Sequence, residues 1–259
     1  MLGAIIGDIV GSVYEFRNHR AKNFQPFFHA DAAYTDDTVC TIAVADSLVN
    51  ERHPAEALKD WGRRYWDNGG WGQHFASWLS SDEMAPYNSF GNGAAMRVAP
   101  AGLLGNSVEK VGSLARKVTE VTHNHPEGMK GAEATALAVF LARQRVSAQN
   151  IKVAITERFG YDLERTPDDI RPTYRFNETC QETVPQALVC VLTATSFEDA
   201  IRNAISIGGD SDTVAAIAGG VAEALFGIPD DIAAQGWSYL PRDMREVLTG
   251  LYREAGVLG

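Results

Sequence analysis

A stretch of carboxylates and hydroxyls comes directly before a long apolar run near the end of the chain. Residues 207–214 read Ile-Gly-Gly-Asp-Ser-Asp-Thr-Val, and the apolar run continues to Phe226 with the character of a buried helix. Residues 34–39, Tyr-Thr-Asp-Asp-Thr-Val, precede a second apolar run, residues 40–48, in the same way. We therefore predict that these two acidic helix starts, about 175 positions apart, converge on one site.

The two helix starts carry more carboxylates than helix capping requires. A helix N-terminus presents unpaired N–H groups and the positive end of the helix dipole, and a single Asp is an ordinary cap. Taken singly, each stretch is best explained as a solvated cap. Four carboxylates brought together would repel one another unless cations lay between them, and such oxygen ligands suit Mg²⁺, Mn²⁺ or Ca²⁺. Taken together, and with two glycines before Asp210, the stretches predict a metal site.

Charge and cysteine content narrow the class of protein. The net charge of −10 argues against a general nucleic-acid surface, because such surfaces carry an excess of Lys and Arg. The three cysteines are odd in number and lie in or beside apolar segments, which fits reduced thiols in a cytoplasmic protein. Residues 2–13 are apolar but contain Asp8 and lack a basic leader and a cleavage site, so we predict no signal peptide. No apolar run approaches the length of a membrane span, and we expect no membrane partner.

Helical periodicity dominates the chain, and no convincing strand alternation occurs. The predicted helices cover residues 2–12, 40–48, 54–67, 94–98, 108–121, 129–143, 149–159, 183–194, 196–205, 213–226, 229–235 and 241–252. Small residues at near-helical spacing in the first of these predict close packing against other helices. With no linker and no low-complexity segment, we predict one all-α domain over residues 1–259. The oligomeric state does not follow from the sequence, and a monomer is the favoured expectation.

Three loops are candidates for ligand contact. Gly70 and Gly72 lie in one turn, and residues 86–93, Pro-Tyr-Asn-Ser-Phe-Gly-Asn-Gly, lead into a helix. Such loops let backbone N–H groups approach a phosphate, although ordinary turns are the common alternative. Residues 160–181 form a polar loop of about twenty residues, which is longer than most connections. We expect this long loop to be functional or to pack over a pocket.

Glu15 and two histidines are isolated polar residues, and none of them by itself indicates a function strongly. Glu15 lies between two aromatic residues at the end of the first helix, where a solvated charge is the simplest explanation. His123 and His125 are two positions apart in the loop Thr-His-Asn-His-Pro, and neither a cysteine nor a third histidine is placed to complete a zinc site. Substrate contact or loop packing is therefore favoured over metal binding for these histidines.

Five stretches of the chain, taken in order, resemble the ADP-ribosylglycohydrolases, the family of the dinitrogenase-reductase-activating glycohydrolase. They are residues 7–15 (Gly-Asp-Ile-Val-Gly-Ser-Val-Tyr-Glu), 34–38 (Tyr-Thr-Asp-Asp-Thr), 89–97 (Ser-Phe-Gly-Asn-Gly-Ala-Ala-Met-Arg), 122–126 (Thr-His-Asn-His-Pro) and 208–213 (Gly-Gly-Asp-Ser-Asp-Thr). The likeness covers nearly the whole chain, and five motifs in family order are far more specific than any one of them.

The resemblance implies an all-α fold around a two-metal centre that holds two Mg²⁺ or two Mn²⁺. The metal ligands it implies are Thr35, Asp36, Asp37, Asp210, Asp212 and Thr213, with Asp212 as the bridge. Glu15 is similar to the glutamate that lies beside the metals and acts in catalysis. The substrate contacts it implies are Ser89, Phe90, Gly91, Asn92 and Gly93 for the diphosphate and ribose, Gly70 and Gly72 for the diphosphate path, and His123 for the distal side.

The function implied by the resemblance is hydrolysis of the bond between C1″ of ADP-ribose and an acceptor. The acceptor is a protein side chain, with arginine slightly favoured by the Thr-His-Asn-His-Pro form, or a small molecule. Glu15 would position or deprotonate the attacking water or aid the leaving group. An ADP-ribose binding module without turnover, a two-metal phosphohydrolase and a purely structural protein are the alternatives. The chain is compact for the family, and residues 160–181 have no counterpart that can be placed.

Overall fold

The computed structural model describes residues 1–257, so the last two positions of the predicted 1–259 domain lie outside the described residues. The helices are α1 (Leu2–Ser12), α2 (Asp36–Val49), α3 (Pro54–Arg64), α4 (Gln73–Ser80), α5 (Gly93–Met96), α6 (Ala99–Leu104), α7 (Val108–Thr119), α8 (Pro126–Arg143), α9 (Ala148–Phe159), α10 (Pro167–Ile170), α11 (Cys180–Leu192), α12 (Phe197–Ser206), α13 (Ser211–Phe226), α14 (Asp230–Tyr239) and α15 (Arg242–Glu254). Within the described chain no β-strand forms, and an isolated bridge pairs Gly91 with Thr179. The all-α prediction is confirmed.

Two helices, α1 and α13, lie at the centre of the fold and touch almost backbone to backbone. A Cβ atom on Gly7 would lie 2.0 Å from the carbonyl oxygen of Ala215, and one on Gly11 would lie 2.5 Å from the Cα of Asp212. Only glycine permits this approach, because any side chain at these positions would overlap the facing backbone. The predicted close packing of α1 is thus confirmed, and it brings α1 directly against the first turn of α13.

Several predicted boundaries are wrong. The predicted helix 54–67 ends at Arg64, and a turn of 3-10 helix (Trp66–Asn68) follows it. The predicted helix 129–143 begins earlier, at Pro126, because proline suits the first helical position and His125 caps the N–H of Glu127. The sequence analysis also missed α4, α6 and the short α10 inside the long polar loop.

The start of α11 is also wrong. Pro185 suggested a helix start near Thr183, yet α11 begins at Cys180 and Pro185 lies inside it. Packing explains the difference, because contacts with other parts of the chain hold the first turn of α11 in place. The N–H of Cys180 donates to the carbonyl of Phe90 at 3.0 Å, and Cys180 and Thr183 are fully buried. The helix therefore keeps a proline at the expense of one hydrogen bond.

Candidate active site

The two acidic helix starts meet in the structure. Asp36 and Asp37 lie in the first turn of α2, while Asp210 occupies the N-cap position of α13 and Asp212 lies in its first turn. Carboxylate oxygens of Glu15, Asp210 and Asp212 lie within 4.8 Å of one another. The hydroxyl of Thr213 lies 3.3 Å from Asp37 Oδ2, so the two helix N-termini are in direct contact.

Asp8 is a member of this cluster that the sequence analysis did not identify. It is fully buried in α1, and its carboxylate oxygen lies within 4.8 Å of oxygens of Asp37 and Asp212. It accepts hydrogen bonds from the N–H and hydroxyl of Thr35, at 2.9 and 2.7 Å, and from those of Thr38, at 3.1 and 2.5 Å. Asp8 therefore ties the start of α2 to the central helix. Burial raises the pKa of Asp8 to about 6, and these hydrogen bonds oppose the rise.

The carboxylates of the cluster repel one another in a site from which water is largely excluded. Burial, followed by the charge of Asp8, raises the pKa of Asp36 to about 7. Burial and neighbouring carboxylates also raise the pKa values of Asp37 and Asp212 well above the usual range of aspartate, and burial raises that of Asp210. Such a group needs either protons or cations between its members.

The donor set fits a hard divalent cation. Asp37 Oδ1 is buried and has no hydrogen-bond partner, although a buried carboxylate oxygen is ordinarily paired. All of the converging groups are carboxylates and hydroxyls, which are the ligands that Mg²⁺ and Mn²⁺ prefer, and sulfur and imidazole are absent from the described cluster. Asp212 belongs to both three-carboxylate groups, the one with Asp8 and Asp37 and the one with Glu15 and Asp210.

Glu15 lies just beyond the C-terminus of α1, partly exposed at the edge of the cluster. Burial raises its pKa to about 7, and the charges of Asp210 and Asp36 add to the rise. A carboxyl group with a pKa near neutrality exchanges protons readily at physiological pH, which is the property required of a general acid or base. The structure thus places Glu15 beside the carboxylate cluster, at the border of the cavity.

A cavity of about 380 Å³ opens in front of the cluster. The predicted site residues that line it are Glu15, Asp36, Asp37, Gly70, Gly72, Ser89, Phe90, Gly91, Asn92, Gly93, His123, Asp210, Asp212 and Thr213. Thr35 is the exception. Its hydroxyl caps α2 by accepting from the N–H of Asp37 at 3.3 Å and donates to Asp8, so it lies behind the carboxylates.

The loop of residues 89–93 is held in place by contacts on both sides. The Ser89 hydroxyl accepts from the N–H of Gly91 at 3.1 Å, and the N–H of Asn92 donates to the carbonyl of Glu178 at 2.7 Å. The Asn92 side-chain amide donates to Asp210 Oδ2 at 2.7 Å and to the Thr183 hydroxyl at 3.2 Å. Asn92 therefore orients a carboxylate of the cluster as well as bordering the cavity.

The glycine turn around residue 70 also reaches the cluster. The N–H of Gly70 donates to Asp36 Oδ1 at 3.1 Å. No atom lies within 4 Å of a Cβ placed on Gly72, so this part of the wall is open. The backbone around Gly72 can therefore contact a ligand that lies in the cavity beside the acidic cluster.

The long polar loop supplies residues that sequence reasoning could not assign. Phe176, Glu178 and Thr179 line the cavity, which confirms that residues 160–181 pack over a pocket. Arg97 and Tyr87 line it as well and were not identified as site residues. The length of the loop was the available indication for the first three, and Tyr87 lies in the candidate loop of residues 86–93 but was not singled out there.

Comparison with known proteins decides the family. The family model described as ADP-ribosylglycohydrolase matches residues 1–256. The chain belongs to the ADP-ribosylglycohydrolase family. As the sequence resemblance predicted, it is a hydrolase, and the family and its relatives indicate ADP-ribosyl glycohydrolase activity.

Relatives of this glycohydrolase include enzymes with two different names. ADP-ribosylhydrolase ARH3 of Bos taurus is 29% identical, and the alignment covers 88% of this chain and 84% of the relative. ADP-ribosylarginine hydrolase Tri1 of Pseudomonas putida (strain GB-1) is 27% identical, with 92% of this chain and 73% of the relative covered. A solved chain described as an ADP-ribosylglycohydrolase-related protein complex superposes with a TM-score of 0.72 at 23% identity. The superposition covers 98% of this chain and 97% of the solved chain, which shows a shared fold.

No helix in the described part of this glycohydrolase is both long enough and apolar enough to cross a membrane.

Proposed function

We propose that this glycohydrolase is a metal-dependent enzyme that cleaves the bond between C1″ of ADP-ribose and an acceptor and releases ADP-ribose. The observation that carries the proposal is the meeting of two acidic helix starts at one cavity, with Asp37 Oδ1 buried and unpaired among them. Residues from both ends of the chain build this site, so residues 1–259 would act as one domain.

Two Mg²⁺ or Mn²⁺ ions would be held by Asp36, Asp37, Asp210, Asp212 and Thr213, with Thr35 behind them. Asp212 is the candidate bridge because it belongs to both three-carboxylate groups. Asn92 and Gly70 would orient the ligand oxygens through their hydrogen bonds to Asp210 and Asp36. When bound, the ions would supply electrostatic stabilisation to oxygens of the sugar and of water.

Glu15 is the proposed catalytic residue. Breaking the C1″ bond develops positive oxocarbenium character on the sugar, and water must lose a proton as it adds. The Glu15 carboxylate lies partly exposed at the edge of the cluster, where it can accept that proton. The cluster aspartates are poor acids or bases when they hold cations, which leaves Glu15 as the free titratable group at this position.

The remaining cavity residues would hold the rest of ADP-ribose. The volume of about 380 Å³ is in the range of small-molecule sites. Backbone groups of Gly91 and Gly93, with the Ser89 hydroxyl and Phe90, would contact the diphosphate and ribose. Gly70 and Gly72 would border the diphosphate path, and His123 would contact the distal side of the ligand.

Arginine is the proposed acceptor, on the form of residues 122–126 and the similarity to ADP-ribosylarginine hydrolase Tri1. The test is release of ADP-ribose from matched peptides that carry ADP-ribosyl-arginine or ADP-ribosyl-serine, each with Mg²⁺, Mn²⁺ or EDTA. Metal-dependent release from the arginine peptide is the expected result. Release from the serine peptide alone would reject arginine while keeping the enzyme class.

Other products or an absence of turnover would favour the alternatives. AMP as the product, with no ADP-ribose, would identify a phosphohydrolase, since two-metal carboxylate sites also cleave phosphate esters. Binding of ADP-ribose with no release from any conjugate would identify a binding module. The presence of Glu15 beside the cluster is the feature that favours turnover.

A further inference from the structure

Arg97 is a buried cation at the base of the cavity without a carboxylate partner. Its side chain is 1% exposed, and it takes part in none of the ion pairs among the described residues. Its Nη2 donates to the Thr122 hydroxyl at 2.5 Å and lies 3.3 Å from His123 Nδ1. Its Nε has no hydrogen-bond partner. Because a guanidinium can only donate hydrogen bonds, it constrains which atoms of the neutral groups around it carry protons.

The hydrogen bonds around His123 determine which ring nitrogen carries the proton. Arginine can only donate, so a hydrogen bond between Arg97 Nη2 and Nδ1 at 3.3 Å needs Nδ1 to accept, whereas a proton on Nδ1 would face the guanidinium hydrogens. The Thr122 hydroxyl lies 2.8 Å from the same Nδ1, and because it accepts from Arg97 its own proton is free to point at the ring. Two donors therefore converge on Nδ1, and the single proton of the neutral imidazole lies on Nε2.

The surroundings of His123 also oppose a second proton on the ring. Burial and the charge of Arg97 lower the pKa of His123 well below its usual value. Tyr87 faces the ring with centroids 6.1 Å apart, and burial raises its phenol pKa to about 12, so it stays neutral. From α8, the Glu127 carboxylate lies 3.7 Å from Lys130 Nζ and forms no hydrogen bond with the His123 ring among the described residues.

The protonated nitrogen points into the cavity. Nε2 of His123 lies 3.3 Å from the position of a Cβ on Gly93 and 3.5 Å from that of a Cβ on Gly91. The ring is 4% exposed, lines the cavity, and its Nε2 donates to no group among residues 1–257. Glycine at positions 91 and 93 leaves the space in front of this nitrogen free.

We infer that Arg97 and Thr122 lock His123 as the neutral Nε2–H tautomer, so that His123 is a hydrogen-bond donor to an acceptor atom of bound ADP-ribose at any working pH. Arg97 is thus a positioning residue, and the identity of the ligand rests on the proposed function.

The test is long-range ¹⁵N–¹H NMR of the histidine side chains in the metal-loaded protein, together with calorimetric titration of ADP-ribose, from about pH 5.5 to about pH 8.5. The variants are Arg97→Met, Arg97→Lys and Thr122→Val. Arg242→Met is the matched control, because Arg242 is 91% exposed and pairs with Glu246 at the surface.

Wild type should show His123 protonated on Nε2 and unchanged over this pH range. In Arg97→Met the ring should mix its two neutral tautomers, because one donor to Nδ1 is lost, and its pKa should rise but stay below the usual histidine value, because the burial remains. ADP-ribose should then bind about 3- to 10-fold more weakly at the upper pH, as expected for one lost hydrogen bond. Arg97→Lys should restore most of the wild-type behaviour, and Arg242→Met should match wild type throughout.

A wild-type His123 protonated on Nδ1, or titrating within this range, would overturn the inference. So would an Arg97→Met protein with wild-type tautomer and affinity. If Arg97→Met does not fold, Thr122→Val decides in the same way, because it removes the second donor to Nδ1. Failure of wild type to bind ADP-ribose would reject the ligand and the proposed function, whereas a normal affinity with a titrating His123 would reject this inference alone.

Discussion

The Thr213 hydroxyl lies 3.3 Å from Asp37 Oδ2, although the two residues are 176 positions apart in the chain. This contact joins the N-termini of α2 and α13, each of which already carries two carboxylates. Two positive helix ends soften the repulsion of such a cluster but do not cancel it, because the dipole of a helix end equals roughly half a charge. The proposed cations would supply the positive charge that the two helix ends do not.

Asp212→Ala should abolish metal binding and ADP-ribose release together. Asp212 is shared by both three-carboxylate groups, so its removal takes a ligand from each of the proposed ions. We expect activity to fall by more than about 100-fold, which exceeds the usual effect of residues that only orient ligands. Calorimetric titration with Mg²⁺ and Mn²⁺, in parallel with the peptide assay, measures both losses.

Asp168→Ala is the matched control for that experiment. Asp168 is 82% exposed and pairs with Arg171 at the surface, so its removal should leave metal binding and turnover unchanged. Normal turnover in Asp212→Ala would exclude Asp212 from the site. A loss of turnover with unchanged metal affinity would place it in catalysis and not in metal binding.

Glu15→Gln should separate metal binding from chemistry. The amide keeps the shape of the side chain but cannot accept a proton, so kcat should fall by about 10² to 10⁴. At least one metal should still bind, since the Asp37 and Asp212 pair is unaltered. Single-turnover rates on metal-loaded protein and the Kd for Mg²⁺ distinguish the two effects. Full activity in this variant would remove Glu15 from the mechanism.

The acidic helix starts could be recognised from the sequence because the residues that mark them lie next to one another in the chain. Two carboxylates and a hydroxyl exceed what one helix end needs, and that excess is visible within residues 34–39 and 207–214 alone. Asp8 was not predictable in this way. A single aspartate in an apolar helix has no local partner, and its four donors belong to Thr35 and Thr38, about 30 positions further along.

The cavity wall opposite the cluster depends on tertiary contacts. Phe176 and Glu178 face the cavity because the Asn92 N–H holds the Glu178 carbonyl and α11 is docked by Cys180. Neither contact leaves a pattern in residues 160–181. Because of the same docking, α11 begins at Cys180 and contains Pro185. Proline usually lies at a helix start, and this preference misled the prediction of α11. The existence of the longer helices followed from periodicity, whereas these details follow from packing.

The metal-free protein should lose stability as the pH rises. The pKa of Asp8 is raised to about 6 and those of Glu15 and Asp36 to about 7, whereas their unfolded values are about 4. The folded state therefore binds more protons than the unfolded state between about pH 4 and pH 7, and the free energy of unfolding falls across that window. Groups with lowered pKa, such as Asp46, act in the opposite sense but below about pH 4.

Mg²⁺ should reverse that loss, because it binds the ionised carboxylates. Denaturant midpoints at about pH 5 and about pH 8, each with EDTA or Mg²⁺, should differ little at the lower pH and clearly at the higher. Asp8→Asn should flatten the pH dependence of the EDTA series, since it removes one of the titrating groups. A metal-free protein that is more stable at the higher pH would contradict the assignment of a repulsive cluster.

Gly209→Ala should destabilise the protein by disturbing the entry to α13. Gly209 has φ +76°, a left-handed conformation that is unfavourable for alanine by roughly 1–2 kcal/mol. A Cβ there would also lie 2.6 Å from Cε1 of the buried Tyr174, which must move and shift the long loop with it. The free energy of unfolding should therefore fall by about 2 kcal/mol or more.

Gly112→Ala is the control, because Gly112 lies within α7 and no atom lies within 4 Å of a Cβ placed there. In this variant the free energy of unfolding should rise by about 0.5–1 kcal/mol. Urea denaturation measures both changes, and equal effects of the two substitutions would show that the conformation of Gly209 does not hold α13 in place.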